Sequence, residues 1–164
     1  MTPAAVLAKA LRECNLKCSR DRIVALAKEQ GITPAIAGRA FAGRPVNAAD
    51  HLLLCAVFYI DPYGTDFHRW PAPECRFDHT VMGMGLRMRR FLSGDSNAEV
   101  AWATGVSTAT ISRIEHGEPV SIASVLTVCK YIKVHPLDYF APLKPGPLTA
   151  RVPRETSPAS RSAA

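Results

Sequence analysis

Hydrophobic residues recur at helical spacing where the second half of the chain begins. Met84, Met88, Phe91 and Leu92 share one face of a helix, so we expect that face to turn inward. The remaining face carries three arginines, Arg87, Arg89 and Arg90. The pattern therefore predicts a first amphipathic helix with a basic outer surface.

Start and stop signals place further helices after it. Ser96 and Glu99 have the spacing of a capping box, and Gly105 stands where the resulting helix ends. Residues 107–116 form the next predicted helix, and Gly117 follows it as a left-handed cap. A fourth helix has its own apolar face. The inward positions expected in these last two helices are Ile111, Ile114, Ile122, Val125, Leu126, Cys129 and Ile132.

The same pattern occurs earlier in the chain, displaced by the 74 residues that separate Gly31 from Gly105. Without a gap, this register also aligns the identical residues Ala27 and Ala101, Arg39 and Arg113, Gly43 and Gly117, Cys55 and Cys129, and Pro62 and Pro136. The sequence therefore predicts two copies of one small helical unit. No pair of strands is expected, which makes the fold all-α.

Two helices joined at a tight glycine turn describe a helix-turn-helix, in which Ala101 allows close crossing and Gly105 supplies a positive φ. Residues 105–117 read Gly-Val-Ser-Thr-Ala-Thr-Ile-Ser-Arg-Ile-Glu-His-Gly. This segment resembles the helix-turn-helix family of the phage repressor and Cro proteins, the Xre family. The resemblance covers about residues 82–140, includes the Ile-Glu-x-Gly exit from the recognition helix, and implies a DNA-binding regulator of the kind carried by phages and mobile elements.

With that resemblance, we expect two tandem lambda-repressor-like helix-turn-helix domains of four to five helices each. Residues 1–62 form a divergent first domain and residues 81–142 the Xre-type second domain. Residues 63–80 form a linker rich in proline and aromatic residues, which we expect to pack between the halves. Residues 143–164 form a basic tail rich in Pro, Ser and Ala, which we expect to be disordered.

The resemblance also implies roles for individual residues of the second copy, since the start of a recognition helix meets base edges in the major groove. The implied base-reading residues are Thr108, Ala109, Ser112 and Arg113. Arg113 is suited to a bidentate contact with guanine. The implied phosphate-binding residues are Asn97, Ser107 and Thr110.

The first copy departs from the family pattern. Ala37 and Ala40 replace the two inward isoleucines, Gly38 replaces Ser112, and Phe41 replaces the glutamate. Two interpretations stay open: a second DNA reader, or a surface for dimerisation or for a partner protein that depends on Ile36 or Phe41. The residues of the possible second reader are Thr33, Pro34, Ala35, Gly38, Arg39 and Arg44.

Composition narrows the classes of protein to which the chain can belong. The chain has 164 residues, 48% of them hydrophobic, and a formal net charge of +6, which permits but does not select a nucleic-acid partner. No apolar run is long enough to span a membrane and no secretion signal is expected. The five cysteines have an odd count and irregular spacing, so we expect reduced thiols and no metal site.

These observations lead to one functional hypothesis and one alternative. The hypothesis is a repressor in the cytoplasm, associated with the nucleoid, that occupies operator DNA as a homodimer and uses no cofactor. The alternative is a protein-interaction module of the antitoxin or anti-activator type, with its partner on the first domain and DNA binding secondary. No nucleophile with a base, phosphate-binding glycine loop or pair of acids is apparent, so we do not expect an enzyme.

Overall fold

The chain is mostly helical. A computed structural model describes residues 2–17, 20–63 and 75–142; the N-terminal half denotes residues 2–63 and the C-terminal half residues 75–142. The N-terminal half contains α1 (Pro3–Lys17), α2 (Arg20–Glu29), α3 (Pro34–Phe41) and α4 (Ala48–Val57). The C-terminal half contains β1 (Cys75–Phe77), α5 (His79–Ser93), α6 (Asn97–Thr104), α7 (Thr108–Glu115), α8 (Ile122–Ile132), a 3-10 helix (Pro136–Tyr139) and β2 (Phe140–Pro142). Most of the expected linker and the whole expected tail lie outside the described residues.

Local signals determine the helix ends in both halves. Thr33 and Ser107, 74 residues apart, are the N-caps of α3 and α7, and each side chain accepts a hydrogen bond from a first-turn amide. The predicted capping box at the start of α6 is confirmed, because Ser96 and Glu99 exchange both hydrogen bonds. The hydrogen bond that the Glu99 carboxylate accepts from the Ser96 amide holds the pKa of that carboxyl below its usual range. Gly105 has the expected positive φ, 68°.

The described residues include one short antiparallel ribbon that the sequence interpretation lacked. β1 pairs with β2, and Phe77 lies opposite Phe140. Each strand has only three residues, too few to show the alternation by which a strand is found in a sequence. α5 also begins at His79, inside the segment expected to be linker.

The predicted inward face of α5 is wrong. Met84, Met88, Phe91 and Leu92 are all exposed. The face that enters the core carries Met82, Gly83 and Leu86 instead. Gly83 gives no hydrophobic signal, yet it faces the core because α5 and α7 approach closely there: a Cβ on Gly83 would overlap the Ile114 carbonyl oxygen.

The buried core divides into two clusters, one of which joins the halves. Leu7, Leu11 and Leu54 belong to the cluster of the N-terminal half. Ala48 and Leu52 of α4 instead belong to the larger cluster of the C-terminal half. That cluster contains the predicted inward residues Ile111, Ile114, Ile122, Val125, Leu126, Cys129 and Ile132, which confirms this part of the expected core. Cys55 and Cys129 are both fully buried, as expected.

Contacts between the halves concentrate on α4. This helix packs against β1, against α8 and against the 3-10 helix. Asp61 Oδ1 lies 3.4 Å from His135 Nε2, and the two side chains are 6% and 15% exposed. The Tyr63 hydroxyl donates a 3.0 Å hydrogen bond to the Leu126 carbonyl oxygen. The halves therefore share buried polar contacts as well as apolar surface.

Two glycines provide a matched test of the packing. Gly83→Ala is expected to lower the free energy of unfolding by about 1–3 kcal/mol, because the new methyl group meets the backbone of α7. Gly38→Ala in α3 is expected to raise it by about 0.5–1 kcal/mol, because a Cβ there meets no atom within 4 Å and alanine favours the helix. Denaturant unfolding measures both, and equal effects of the two substitutions would contradict this account of the α5–α7 contact.

His51 predicts a pH dependence of stability. Its side chain is buried in α4, and burial lowers its pKa from 6.5 to about 4. Between those pH values His51 is protonated in the unfolded chain and neutral in the folded one. The free energy of unfolding therefore falls as the pH is lowered from about 6.5 toward 4, by about 3 kcal/mol over the whole window. We expect His51→Leu to show a shallower loss of unfolding free energy than the wild type between pH 7 and 5. Parallel pH profiles for the two proteins would refute this role of His51.

Candidate nucleic-acid interface

The candidate interface is built on α6, the turn after it, and α7. α6 ends at Gly105, and the Thr104 hydroxyl donates to the Val100 carbonyl oxygen, 2.6 Å away, while accepting a longer hydrogen bond from the Val106 amide. Buried Ile111 and Ile114 hold α7 against the core. The turn and the first residues of α7 therefore have a defined position relative to α6.

Four of the sequence-predicted residues share the outward side of α7. Thr108, Ala109 and Arg113 are exposed, and Ser112 is half-buried. One turn of helix separates Thr108 from Ser112 and Ala109 from Arg113, so each pair lies in the same sector. The structure thus brings the predicted base-reading residues together on one polar surface, opposite the buried isoleucines.

Arg113 already makes contacts within its own chain. Its Nε lies 2.9 Å from Glu118 Oε2, and its Nη2 donates a 2.7 Å hydrogen bond to the Pro119 carbonyl oxygen. Both side chains of the ion pair are 53% exposed. An exposed pair of this kind contributes about 0–1 kcal/mol, so a guanine can replace the carboxylate at little cost. Sequence reasoning missed Glu118, whose charge next to the recognition helix was the available signal.

The predicted phosphate-binding residues have different environments. Ser107 is exposed at the N-terminus of α7, where its Oγ accepts from the Thr110 amide and lies 2.9 Å from the Thr110 hydroxyl. Unpaired amides at such a helix start favour an anion. Asn97 is only half-buried at the start of α6, but its Oδ1 is shielded from solvent and accepts no hydrogen bond. Ser107 and Thr110 thus lie together, and Asn97 is less accessible than the sequence indicated.

α3 presents the corresponding residues of the N-terminal half. Thr33, Pro34, Ala35 and Arg39 are exposed and Gly38 is half-buried. Arg39 Nη2 donates a 2.9 Å hydrogen bond to the Pro45 carbonyl oxygen, the contact that Arg113 makes to Pro119.

The loop after α3 differs in charge from the loop after α7. Exposed Arg44 occupies the position of Glu118 in the 74-residue register. The end of α3 and the loop after it therefore carry two arginines, Arg39 and Arg44. The end of α7 and its loop carry an arginine and a glutamate instead.

Two other residues of the possible partner surface contribute to the core. Ile36 and Phe41 are only partly exposed and pack against the apolar cluster of the N-terminal half. Their side chains therefore offer less free surface to a partner than the sequence suggested.

Two of the arginines expected on the outer face of α5 hold the end of α7. Arg90 Nε lies 2.8 Å from Oε1 of Glu115, whose side chain is 7% exposed. The hydrogen bond to Glu115 raises the pKa of Arg90 above its ordinary value. Arg87 donates to the Glu115 carbonyl oxygen. Glu115, the glutamate of the Ile-Glu-x-Gly exit, therefore anchors α7 through contacts that the sequence analysis did not assign to it.

Other kinds of site find no support in the described parts of the chain. Within residues 2–17, 20–63 and 75–142, no three His, Cys, Asp or Glu side chains are grouped as metal ligands would be. No described helix combines the length and apolar character needed to cross a bilayer. Cys14 and Cys18 lie where side chains are not described, and Cys75 is a free thiol.

Comparison with known protein families gives a match to part of the chain. Residues 92–140 match the family model of the Cro/C1-type HTH DNA-binding domain, where HTH stands for helix-turn-helix. Neither curated proteins nor solved structures yielded a match. The matched stretch contains α6, α7, α8 and the 3-10 helix, so it includes the whole candidate interface. This supports the resemblance recognised in the sequence and makes DNA binding the function indicated for the C-terminal half.

Proposed function

We propose that the protein is a sequence-specific DNA-binding transcriptional regulator that acts as a repressor by occupying operator DNA. The main support for this proposal is that the exposed outward side of α7 lies within a stretch that matches a DNA-binding family. In this proposal Thr108, Ala109, Ser112 and Arg113 read bases in the major groove. Ser107 and Thr110, with the amides at the start of α7, bind phosphate, and Asn97 contributes through its amide nitrogen. Binding to DNA would place the protein with the nucleoid in the cytoplasm.

We further propose that the two halves are tandem helix-turn-helix domains, residues 1–62 and 81–142, with residues 63–80 as their linker. α3 and α7 have bounds 74 residues apart, and so have their N-caps. The glycines that precede and follow each of these helices all have positive φ, from 68° to 80°. The paired contacts of Arg39 with Pro45 and of Arg113 with Pro119 add a side-chain correspondence.

The contacts between the halves support a pseudo-twofold relation between these domains. α4 and α8 are equivalent in the 74-residue register and pack against each other. Asp61 and His135 are also equivalent, and they too meet each other. Tyr63 contacts α8, and in return the 3-10 helix, which includes the equivalent position 137, contacts α4. Self-contacts and reciprocal contacts are the mark of an isologous interface, normally found between identical subunits.

One chain would then present two recognition helices, α3 and α7, as a homodimer of single domains does. In this proposal Thr33, Pro34, Ala35, Gly38, Arg39 and Arg44 form the second reader. We propose this internal pair in place of the expected homodimer, because it already supplies two readers.

The proposed role of Arg113 predicts different effects on DNA affinity for substitutions of Arg113 and of Glu118. Arg113→Ala is expected to weaken specific DNA binding by about 1–3 kcal/mol through loss of a guanine contact. Glu118→Gln removes only the charge that holds Arg113, so specific affinity is expected to stay the same or rise. Both affinities are measured by fluorescence anisotropy on DNA selected by the wild-type protein. Equal weakening by the two substitutions would indicate that Arg113 only supports the loop after α7.

The pseudo-twofold relation predicts that Asp61 and His135 can be exchanged. His135→Asp alone places two carboxylates together and is expected to lower the free energy of unfolding by about 3 kcal/mol. The double variant Asp61→His, His135→Asp restores unlike partners at equivalent positions and is expected to recover most of that loss. Denaturant unfolding at neutral pH measures both. A double variant no more stable than His135→Asp would contradict the equivalence of these positions.

A further inference from the structure

α5 exposes an apolar stripe that the DNA-binding proposal does not use. The α5 stripe consists of Met84, Met88, Phe91 and Leu92, whose side chains are 63%, 60%, 80% and 72% exposed. Their spacing of four, three and one residues places them along one side of the helix. Single exposed apolar residues are ordinary, whereas a contiguous row of large ones marks an interaction surface.

The fold itself does not require an apolar residue at most positions of this stripe. The buried residues Leu7, Ala8 and Leu11 of α1 have the same spacing as the buried Met82, Gly83 and Leu86 of α5, at an offset of 75 residues, one more than the register that relates α3 to α7. In that alignment the four stripe positions correspond to Lys9, Glu13, Leu16 and Lys17 of α1. Three of these residues are charged, and the fourth, at the position of Phe91, is a leucine. Lys9 and Glu13 are exposed and lie 3.8 Å apart as an ion pair. The continuous apolar row is therefore particular to α5.

The stripe is separate from the proposed DNA surface. α5 meets α7 through Gly83, Arg87 and Arg90, which lie in a different sector of the helix. A molecule bound along the stripe would thus leave the outward side of α7 accessible. The four hydrophobic side chains of the stripe cannot donate a hydrogen bond or offer a positive charge to phosphate. The stripe is therefore suited to a partner other than DNA.

The charges beside the stripe indicate the chemistry of that partner. α5 contains three arginines and no acidic residue. Arg87 and Arg89 are exposed and border the stripe on its two sides, by the geometry of a helix of 3.6 residues per turn. An amphipathic helix with an apolar face and acidic flanks would match both features, and methionines adapt readily to such a partner.

A second copy of this chain fits less well. Pairing α5 with α5 would bring basic borders together, on a protein whose net charge is already +6.

We propose that the α5 stripe docks an acidic amphipathic helix of a partner protein. The site differs from the partner surface expected on the first domain, since it lies on α5 in the C-terminal half. Because α7 stays accessible, partner and DNA bind the same chain together.

The test uses the full chain and a synthetic helical peptide with leucine at heptad positions a and d and glutamate at e and g. Fluorescence anisotropy is expected to show binding that weakens with added salt, since the charges are exposed. The stripe variant takes the charged residues of α1 at three positions and a polar residue at the fourth: Met84→Lys, Met88→Glu, Leu92→Lys and Phe91→Gln. It is expected to bind the peptide at least about tenfold more weakly, through loss of apolar contact, while DNA affinity is retained.

Two controls separate the possible outcomes. Trp102→Gln removes another exposed apolar side chain, 89% exposed on α6, and is expected to leave peptide affinity unchanged. A peptide of the same composition with its leucines dispersed around the helix is expected to bind no better to the wild type than to the stripe variant. The proposal is overturned if the amphipathic peptide fails to bind, if it binds the stripe variant equally, or if sedimentation shows wild-type dimers that the stripe variant abolishes. The last result would assign the stripe to a second copy of the chain.

Discussion

The packing of α4 against α8 is the constraint on which the rest of the proposed architecture depends. These helices bring Ala48 and Leu52 into the core of the C-terminal half, so the two halves bury a common apolar surface. Arg76 of β1 adds a hydrogen bond to the Gln30 carbonyl oxygen at the end of α2. In the proposed tandem arrangement, the contact between α4 and α8 joins equivalent elements and relates the halves as an isologous interface relates two subunits. The relative position of α3 and α7 follows from it.

Within the C-terminal half, α7 is held from several directions at once. The close approach at Gly83 sets its distance from α5, and the buried carboxylate of Glu115 is paired with Arg90. Removing one partner of a largely buried ion pair is costly, so this contact resists displacement of the helix. Arg113, by contrast, belongs to an exposed pair that exchanges easily. The arrangement combines a rigid recognition helix with one adjustable side chain, which suits a surface that must fit DNA closely.

Local features of this fold were predictable from the sequence, whereas features set by distant residues were not. The capping box of Ser96 and Glu99 and the positive φ of Gly105 depend on neighbouring residues, and both were predicted. The inward face of α5 depends on how closely α7 approaches Gly83, and apolar residues on more than one side of α5 made the periodicity ambiguous. For the candidate interface, spacing on α7 placed Thr108, Ala109, Ser112 and Arg113 together. The ion pair of Glu115 with Arg90 joins residues 25 positions apart in the sequence, so it depends on tertiary structure and the spacing on α7 could not predict it.

In the proposed function, one chain reads DNA with two recognition helices. The most direct measurement selects bound fragments from a random DNA pool at near-physiological salt, then determines the footprint and the number of chains per duplex on the best sequence. Two recognition helices in one chain are expected to select a discrete motif of two half-sites about one helical turn apart, protected by a single chain. Sequence-indifferent binding that disappears with added salt would contradict the proposal of a sequence-specific regulator. Protection of one half-site per chain would contradict the proposal that α3 is a second reader.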